Sequence, residues 1–233
     1  MEVFIVSNRQ VLWHIDHRLT IIVGHYGSGK TELAINLALQ LADAGKPTAL
    51  ADLDIVNPYF RSRERQTELE ARGVQLIATS EACMNADIPA LPPTLNTLLE
   101  NRIQWGVLDI GGDAVGARVL ARYRKLLAGE DVQMLMVVNR RRPQTSQAGQ
   151  VVSYMTEIEQ VTGLRVTGLV NNTHLCGETQ PEDVLAGVEL VQSVSRQTGV
   201  PVAGHMLCKA LADQFYLDEP VIPVEIYMKK PWE

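Results

Sequence analysis

The chain has 233 residues, 46% of them hydrophobic and 21% charged, with a formal net charge of −6. That size and apolar content suit one α/β domain with a sizeable core, and the negative balance speaks against nonspecific binding to nucleic acid or anionic lipid. Cys83, Cys176 and Cys208 are scattered and form no CxxC pair, which argues against a disulfide framework and for a reducing, cytoplasmic setting.

From the N-terminus, "MEVFIVSNRQ" has neither the basic lead nor the small-residue cleavage site of a secretory signal. No apolar run approaches the ~20 residues that span a bilayer. Residues 1–18 read as an added strand or arm, and residues 19–233 as the domain proper. Strand-length apolar runs then recur at 19–24, 47–54, 74–78, 105–112, 132–139, 166–172 and 201–207. Several are apolar on both faces, as strands of a covered parallel sheet must be. Helix patterns lie between them. "TELAINLALQLADAG" puts Leu33, Leu37 and Leu41 on one stripe and ends at Gly45. "PEDVLAGVELVQSVSRQTG" opens with a proline and two acids and closes at Gly199. The alternation predicts a three-layer α/β fold with a mostly parallel sheet between helices.

The segment Gly24-His25-Tyr26-Gly27-Ser28-Gly29-Lys30-Thr31 fits GxxxxGK[ST] in full, between a predicted strand and a predicted helix, with Glu32 following. That is the setting of a phosphate-binding loop. The glycines let backbone N–H groups turn inward around phosphate oxygens, and the helix N-terminus adds partial positive charge. Lys30 is placed to meet the β- and γ-phosphates, and Thr31 to offer its hydroxyl to Mg²⁺. The bland alternative is a glycine-rich turn that binds nothing.

Two segments offer partners for the metal and for an attacking water. In "VLDIGGD", Asp109 ends an apolar strand and would sit beside the loop at the C-terminal sheet edge, in a Walker B arrangement. Gly111 and Gly112 would let a backbone N–H approach the γ-phosphate; Asp109 as a simple helix cap is the alternative. In "ADLDIVNPYFRSRE", Asp52 and Asp54 end the next strand. Adjacent carboxylates repel, and a cation such as Mg²⁺ would hold both ionised; a helix N-cap is the alternative. Arg61, Arg63 and Arg65 follow, readable as charge-neutralising fingers or as solvated helix residues. "NRRRPQT" at 139–145 reads by default as a solvated loop, with a grip on a phosphate or a partner as the alternatives; "MNADIPALPPTL" at 84–95 reads as a client-facing loop or lid, and Trp13, Trp105 and Trp232 as packing residues. His174 and Cys176 offer too few ligands for a metal.

With the loop, "DLDIVN" and "DIGGD" in this order, the chain resembles the MinD/ParA/nitrogenase-iron-protein class of P-loop ATPases over about residues 19–210. In the quoted segments it also resembles bacterial ATP-binding proteins of the CobQ/CobB/MinD/ParA type. The resemblance assigns Asp52 and Asp54 to switch I, Asp109 to switch II, and the adenine-reading strand end to Asn172, with Asn171 beside it in "GLVNN". It implies Mg²⁺-ATP and a homodimer that closes over nucleotide. One departure stands out: His25 occupies the position of the class's second lysine, and histidine lacks a lysine's fixed charge near neutrality. Either Arg61 or Arg63 substitutes, or hydrolysis does not run across the dimer interface; a loop-packing role for His25 is the plain alternative. No [NT]KxD segment for guanine is present, which favours ATP over GTP. The expected function is an ATP-hydrolysing switch, cycling between ATP and ADP, that acts on a protein client. An ATP-dependent small-molecule enzyme, as in cobyrinic-acid amidation or dethiobiotin synthesis, is the alternative. A DNA- or membrane-positioning ATPase fits the charge less well.

Overall fold

The computed structural model describes residues 15–54, 62–78, 93–174, 178–212 and 215–228, with backbone only at 63, 64 and 210. Of the residues singled out above, Arg61, the Arg63 side chain, Cys83, Cys176, Trp13, Trp232 and most of 84–95 lie outside the described residues. The described strands are β1 (Leu19–Val23), β2 (Thr48–Leu53), β3 (Val74–Ala78), β4 (Trp105–Ile110), β5 (Val132–Val138), β6 (Gly168–Asn171), β7 (Val202–Cys208) and β8 (Val221–Val224). They form one sheet in the order β3-β2-β4-β1-β5-β6-β7-β8, and every pairing is parallel. All seven predicted strands are present. The eighth, "VIPV", escapes a pattern search because it is four residues long and contains Pro223; a proline is tolerated there because the strand is at the sheet edge.

Alternation along the strands divides the core. Leu19, Ile21 and Val23 of β1 point into one cluster and Ile22 into the other. Helix α1 (Lys30–Asp43) covers the second face with Leu33, Leu37 and Leu41, and Gly45 terminates it at φ 76°. The first face is covered by a helix over Ala148–Thr162, through Val151, Met155 and Ile158, and by one over Pro181–Thr198, through Leu190, Val191 and Val194. The latter begins at Pro181 and is capped by Gly199, as its sequence predicts. Among the described residues no helix is long and apolar enough to cross a membrane.

Arg18, just before the expected domain boundary, is nearly buried. Its Nη1 donates to the carbonyls of Leu98, Asn101 and Gln104 at 2.9–3.1 Å, and its Nη2 to Leu99 O at 3.0 Å and Glu130 Oε2 at 2.6 Å. The guanidinium thus caps the helix over Pro93–Glu100, whose last carbonyls have no partner within the helix. Truncating it strands those acceptors and the Glu130 carboxylate, so Arg18→Ala should lower stability by about 3 kcal/mol or more. Urea denaturation checks this; a loss under about 1 kcal/mol would contradict the cap.

Candidate nucleotide-binding site

Three parallel strands end side by side at the site. Asp109 on β4 is in register with Ile22 on β1 and with Asp52 on β2. This shared sheet edge brings the loop after β1 and the carboxylates after β2 and β4 together, as crevices at the carboxyl ends of parallel strands do.

The loop from Gly24 to Gly29 runs from β1 into the first turn of α1. Ser28 is fully buried, and its N–H donates to His25 O at 3.0 Å. Gly29 holds the left-handed conformation, φ 94°, and a Cβ there would stand 2.0 Å from Asn172 Nδ2. No other residue fits that position. Lys30 is 6% exposed, with its chain buried under the loop. Burial lowers its pKa, against the opposing pull of Asp109, Asp54 and Asp113. Its Nζ would lie 3.0 Å from a Cβ on Gly112, whose own Cβ would meet Tyr26 N at 2.8 Å. Gly112 therefore brings the segment after β4 into direct contact with the loop and its lysine.

Beneath them Thr31 Oγ1 donates to Asp109 Oδ2 at 2.6 Å. Asp109 is 1% exposed, and its Oδ1 has no hydrogen-bond partner. Burial pushes its pKa up to about 7; Lys30 and the Thr31 bond oppose this, and the Asp52 and Asp54 charges reinforce it. Asp52 accepts from Ser62 Oγ at 3.1 Å and from Asp54 N at 3.3 Å. Asp54 is buried, and a Cβ on Gly111 would lie 3.4 Å from its Oδ1. Asp113 caps the short helix over Ala114–Ala117 by accepting from Gly116 N at 2.6 Å. Asp109, Asp54 and Asp113 thus face one lysine, with Asp52 beside Asp109.

The opposite flank of the loop is held by its carbonyls. Asn172 Nδ2 donates to Ser28 O at 2.7 Å, and Arg142 Nε donates to Gly27 O at 2.8 Å. His174 Nε2 lies 3.9 Å from the position of a Gly29 Cβ, and burial, then Arg142, lowers its pKa.

The profile of the CobQ/CobB/MinD/ParA nucleotide binding domain, CbiA, matches residues 19–207 of this chain. The chain belongs to the CbiA family. As a P-loop nucleotide-binding domain, it resembles in fold FtsY from Thermotoga maritima, with a TM-score of 0.55 and 20% identity over 84% of this chain and 64% of that one. Chloroplast FtsY from Physcomitrella patens gives a TM-score of 0.54 and 20% identity, covering 84% of this chain and 60% of that one. The 54 kDa signal recognition particle protein from Aeropyrum pernix, solved with GDP, gives 0.50 and 18%, covering 85% and 42%. The chain spans less than two thirds of the length of each of these structures. No curated protein sequence matches it significantly.

Not every residue singled out in the sequence reaches the loop. Asn171 accepts from Thr173 N at 3.0 Å, and its Nδ2 points to Val184 O and His205 Nδ1; strand alternation sends it away from its neighbour Asn172. Glu32 faces the C-terminal segment, where its carboxylate accepts from the N–H groups of Tyr227 and Met228. Arg65 donates to Tyr227 O. His25 packs edge-on to Tyr154, centroids 5.6 Å apart, with its Nδ1 buried and unpartnered, while Tyr26 is exposed. Tyr154 in turn donates to Gly112 O at 3.3 Å. In the 139–145 segment the three arginines are exposed, as its charge predicts, and each also makes a hydrogen bond to the protein. Arg140 donates to Ala186 O, Arg141 binds Asp183 and Arg142 grips the loop. Sequence patterns miss Asp113, Arg142 and Tyr154 because each is recruited by tertiary packing; only the aspartate adjoins a recognisable motif.

Proposed function

We propose that this CbiA-family protein binds Mg²⁺-ATP and uses it as a switch, hydrolysing ATP to change the segments after Asp54 and Asp109 and thereby acting on a protein client. The observation that carries the reading is the Thr31–Asp109 hydrogen bond at 2.6 Å beside the buried Lys30. Lys30 is placed to meet the terminal phosphates, and loop N–H groups at the helix start to cradle them.

The residues fit a magnesium ion. Asp109 Oδ1 is a buried acceptor without a donor among the described residues, and its carboxyl lies within reach of the Thr31 hydroxyl. Among the described residues no three His, Cys, Asp or Glu side chains could hold a metal by themselves. A magnesium here would be held by the Thr31 hydroxyl, phosphate oxygens and water, with Asp109, Asp52 and Asp54 supplying charge around them. Bound there, the ion would neutralise phosphate charge. Asp54 is the candidate to orient an attacking water, and Gly112 is the backbone that would sense the terminal phosphate. Arg61 and Arg63 remain candidates for charge neutralisation, and a homodimer closing over the nucleotide follows the family resemblance.

Asn172 is the candidate base contact. Its Nδ2 gives one N–H to Ser28 O, and its Oδ1 can accept from the amino group of adenine. The preference for adenine rests on the absence of a guanine-reading [NT]KxD segment. Calorimetry with ATP and GTP tests this: ATP should bind more tightly to the wild type, and Asn172→Ala should weaken ATP by about tenfold and pyrophosphate, which feels only the lost hold on Ser28 O, by much less. Equal losses for both ligands would remove Asn172 from the base site.

A second reading, an ATP-dependent small-molecule enzyme, draws on one feature. A polar cleft of about 580 Å³ lies beside His25 and Tyr154, lined by Gln144, Gln147, Ser153 and Glu157. ATP turnover that requires a small metabolite rather than a protein would favour it.

A further inference from the structure

Arg142 is one of three consecutive arginines, and its surroundings set it apart from the other two. Arg140 Nη1 donates to Ala186 O at 3.2 Å, and Arg141 is paired with the buried Asp183. Both are directed to the helix over Pro181–Thr198. Arg142 turns the other way. Its backbone is fixed in a tight turn after β5, with its N–H donating to Asn139 O at 3.0 Å and its carbonyl accepting from Thr145 N at 3.0 Å. Its Nε donates to Gly27 O at 2.8 Å. A Cβ on Gly27 would fall 2.7 Å from Arg142 Cζ, so a glycine is needed for the guanidinium to lie this close against the loop.

The remaining guanidinium nitrogens make no hydrogen bond or ion pair among the described residues. On the loop's other flank Asp109, Asp54 and Asp113 face Lys30. Arg142 is exposed, and an arginine anchored at Nε with both Nη atoms open presents a fork that can take an anion. His25, at the position where the family resemblance expects a second cation, is turned against Tyr154 instead.

Resting on the nucleotide-binding reading, we propose that Arg142 is a phosphate-positioning residue: its Nε holds the loop by Gly27 O, and its terminal nitrogens bind the phosphate chain of the nucleotide from the β5 flank. This places a second cation across the loop from Lys30. It also ties the turn after β5 to nucleotide occupancy, because the same side chain touches loop and ligand.

The two halves of that role can be separated by substitution. In glutamine the amide nitrogen is the same number of bonds from Cα as Nε is in arginine. Arg142→Gln therefore retains a donor for Gly27 O and removes the charge and the fork; Arg142→Ala removes everything. Binding of ADP and GDP is measured by calorimetry for wild type and both variants at about 50 mM and 500 mM salt, beside their melting temperatures. We expect Arg142→Gln to melt with the wild type yet bind both nucleotides about tenfold or more weakly at low salt, as Arg142→Ala does, with the gap narrowing at high salt as charge is screened. Wild-type affinity in Arg142→Gln, whatever Arg142→Ala does, would overturn the proposal and leave the arginine a strut. A wild type that binds neither nucleotide would overturn the nucleotide-binding reading and this one with it.

Discussion

Lys30→Ala should weaken ATP binding by about a hundredfold or more. A lysine in this setting makes charge-assisted bonds to two phosphate groups at once, and each such bond is worth roughly twice a neutral one. The site makes the loss hard to offset. Lys30 is buried, it faces Asp109, Asp54 and Asp113, and its removal leaves those carboxylates to repel an incoming polyphosphate. Lys30→Arg should not rescue it. A planar guanidinium presents a fixed fork where the ammonium is a compact point charge, so the bulkier head does not reproduce the lysine's position under the loop. Calorimetry with ATP measures the effect, and circular dichroism checks that the variant is folded. An affinity within about twofold of wild type would remove the loop from nucleotide binding altogether.

Much of this site is legible in the sequence because its parts are local. The phosphate loop is one unbroken segment, and its flanking strand and helix carry different periods, so the motif and its setting can be read together. Asp52 and Asp109 end apolar runs, and in a parallel sheet the ends of neighbouring runs meet; the register Asp52 with Asp109 is that consequence made exact. What is not local is not legible. Period-two alternation says that Asn171 and Asn172 face opposite ways, but only the sheet's neighbours decide that Asn172 is the one against Ser28. Glu32 follows Thr31 directly, yet helical rotation carries it to the C-terminal segment. Arg142 reaches Gly27 across 115 residues, and nothing in "NRRRPQT" distinguishes the third arginine from the first two. Short edge strand β8 and the cap made by Arg18 are invisible for the same reason, since each is defined by what lies beside it.

Asp109→Asn should act in opposite directions on stability and on function. In the folded, ligand-free chain the carboxyl titrates near 7 because burial outweighs Lys30 and Thr31; in the unfolded chain it returns to the ordinary carboxylate range near ~3.9. The folded state therefore keeps this proton longer than the unfolded state does. The associated stability is fully present below about pH 4 and is lost as pH rises toward about 7. Asparagine carries no such charge at any pH. At pH 5 the variant and wild type should melt together within a few degrees. At pH 8 the ligand-free variant should be the more stable by about 1–2 kcal/mol, or roughly 2–8 °C for a domain of this size. The same change should harm function. A neutral amide cannot supply charge opposite a divalent cation, so the gain in ATP affinity on adding Mg²⁺ should shrink by about tenfold. Thermal melts at the two pH values, with ATP titrations with and without Mg²⁺, measure both halves. A variant less stable than wild type at pH 8 would show that Asp109 is held by its bonds rather than strained by burial. A full magnesium response would place the ion's partner on another carboxylate, with Asp54 the next to substitute.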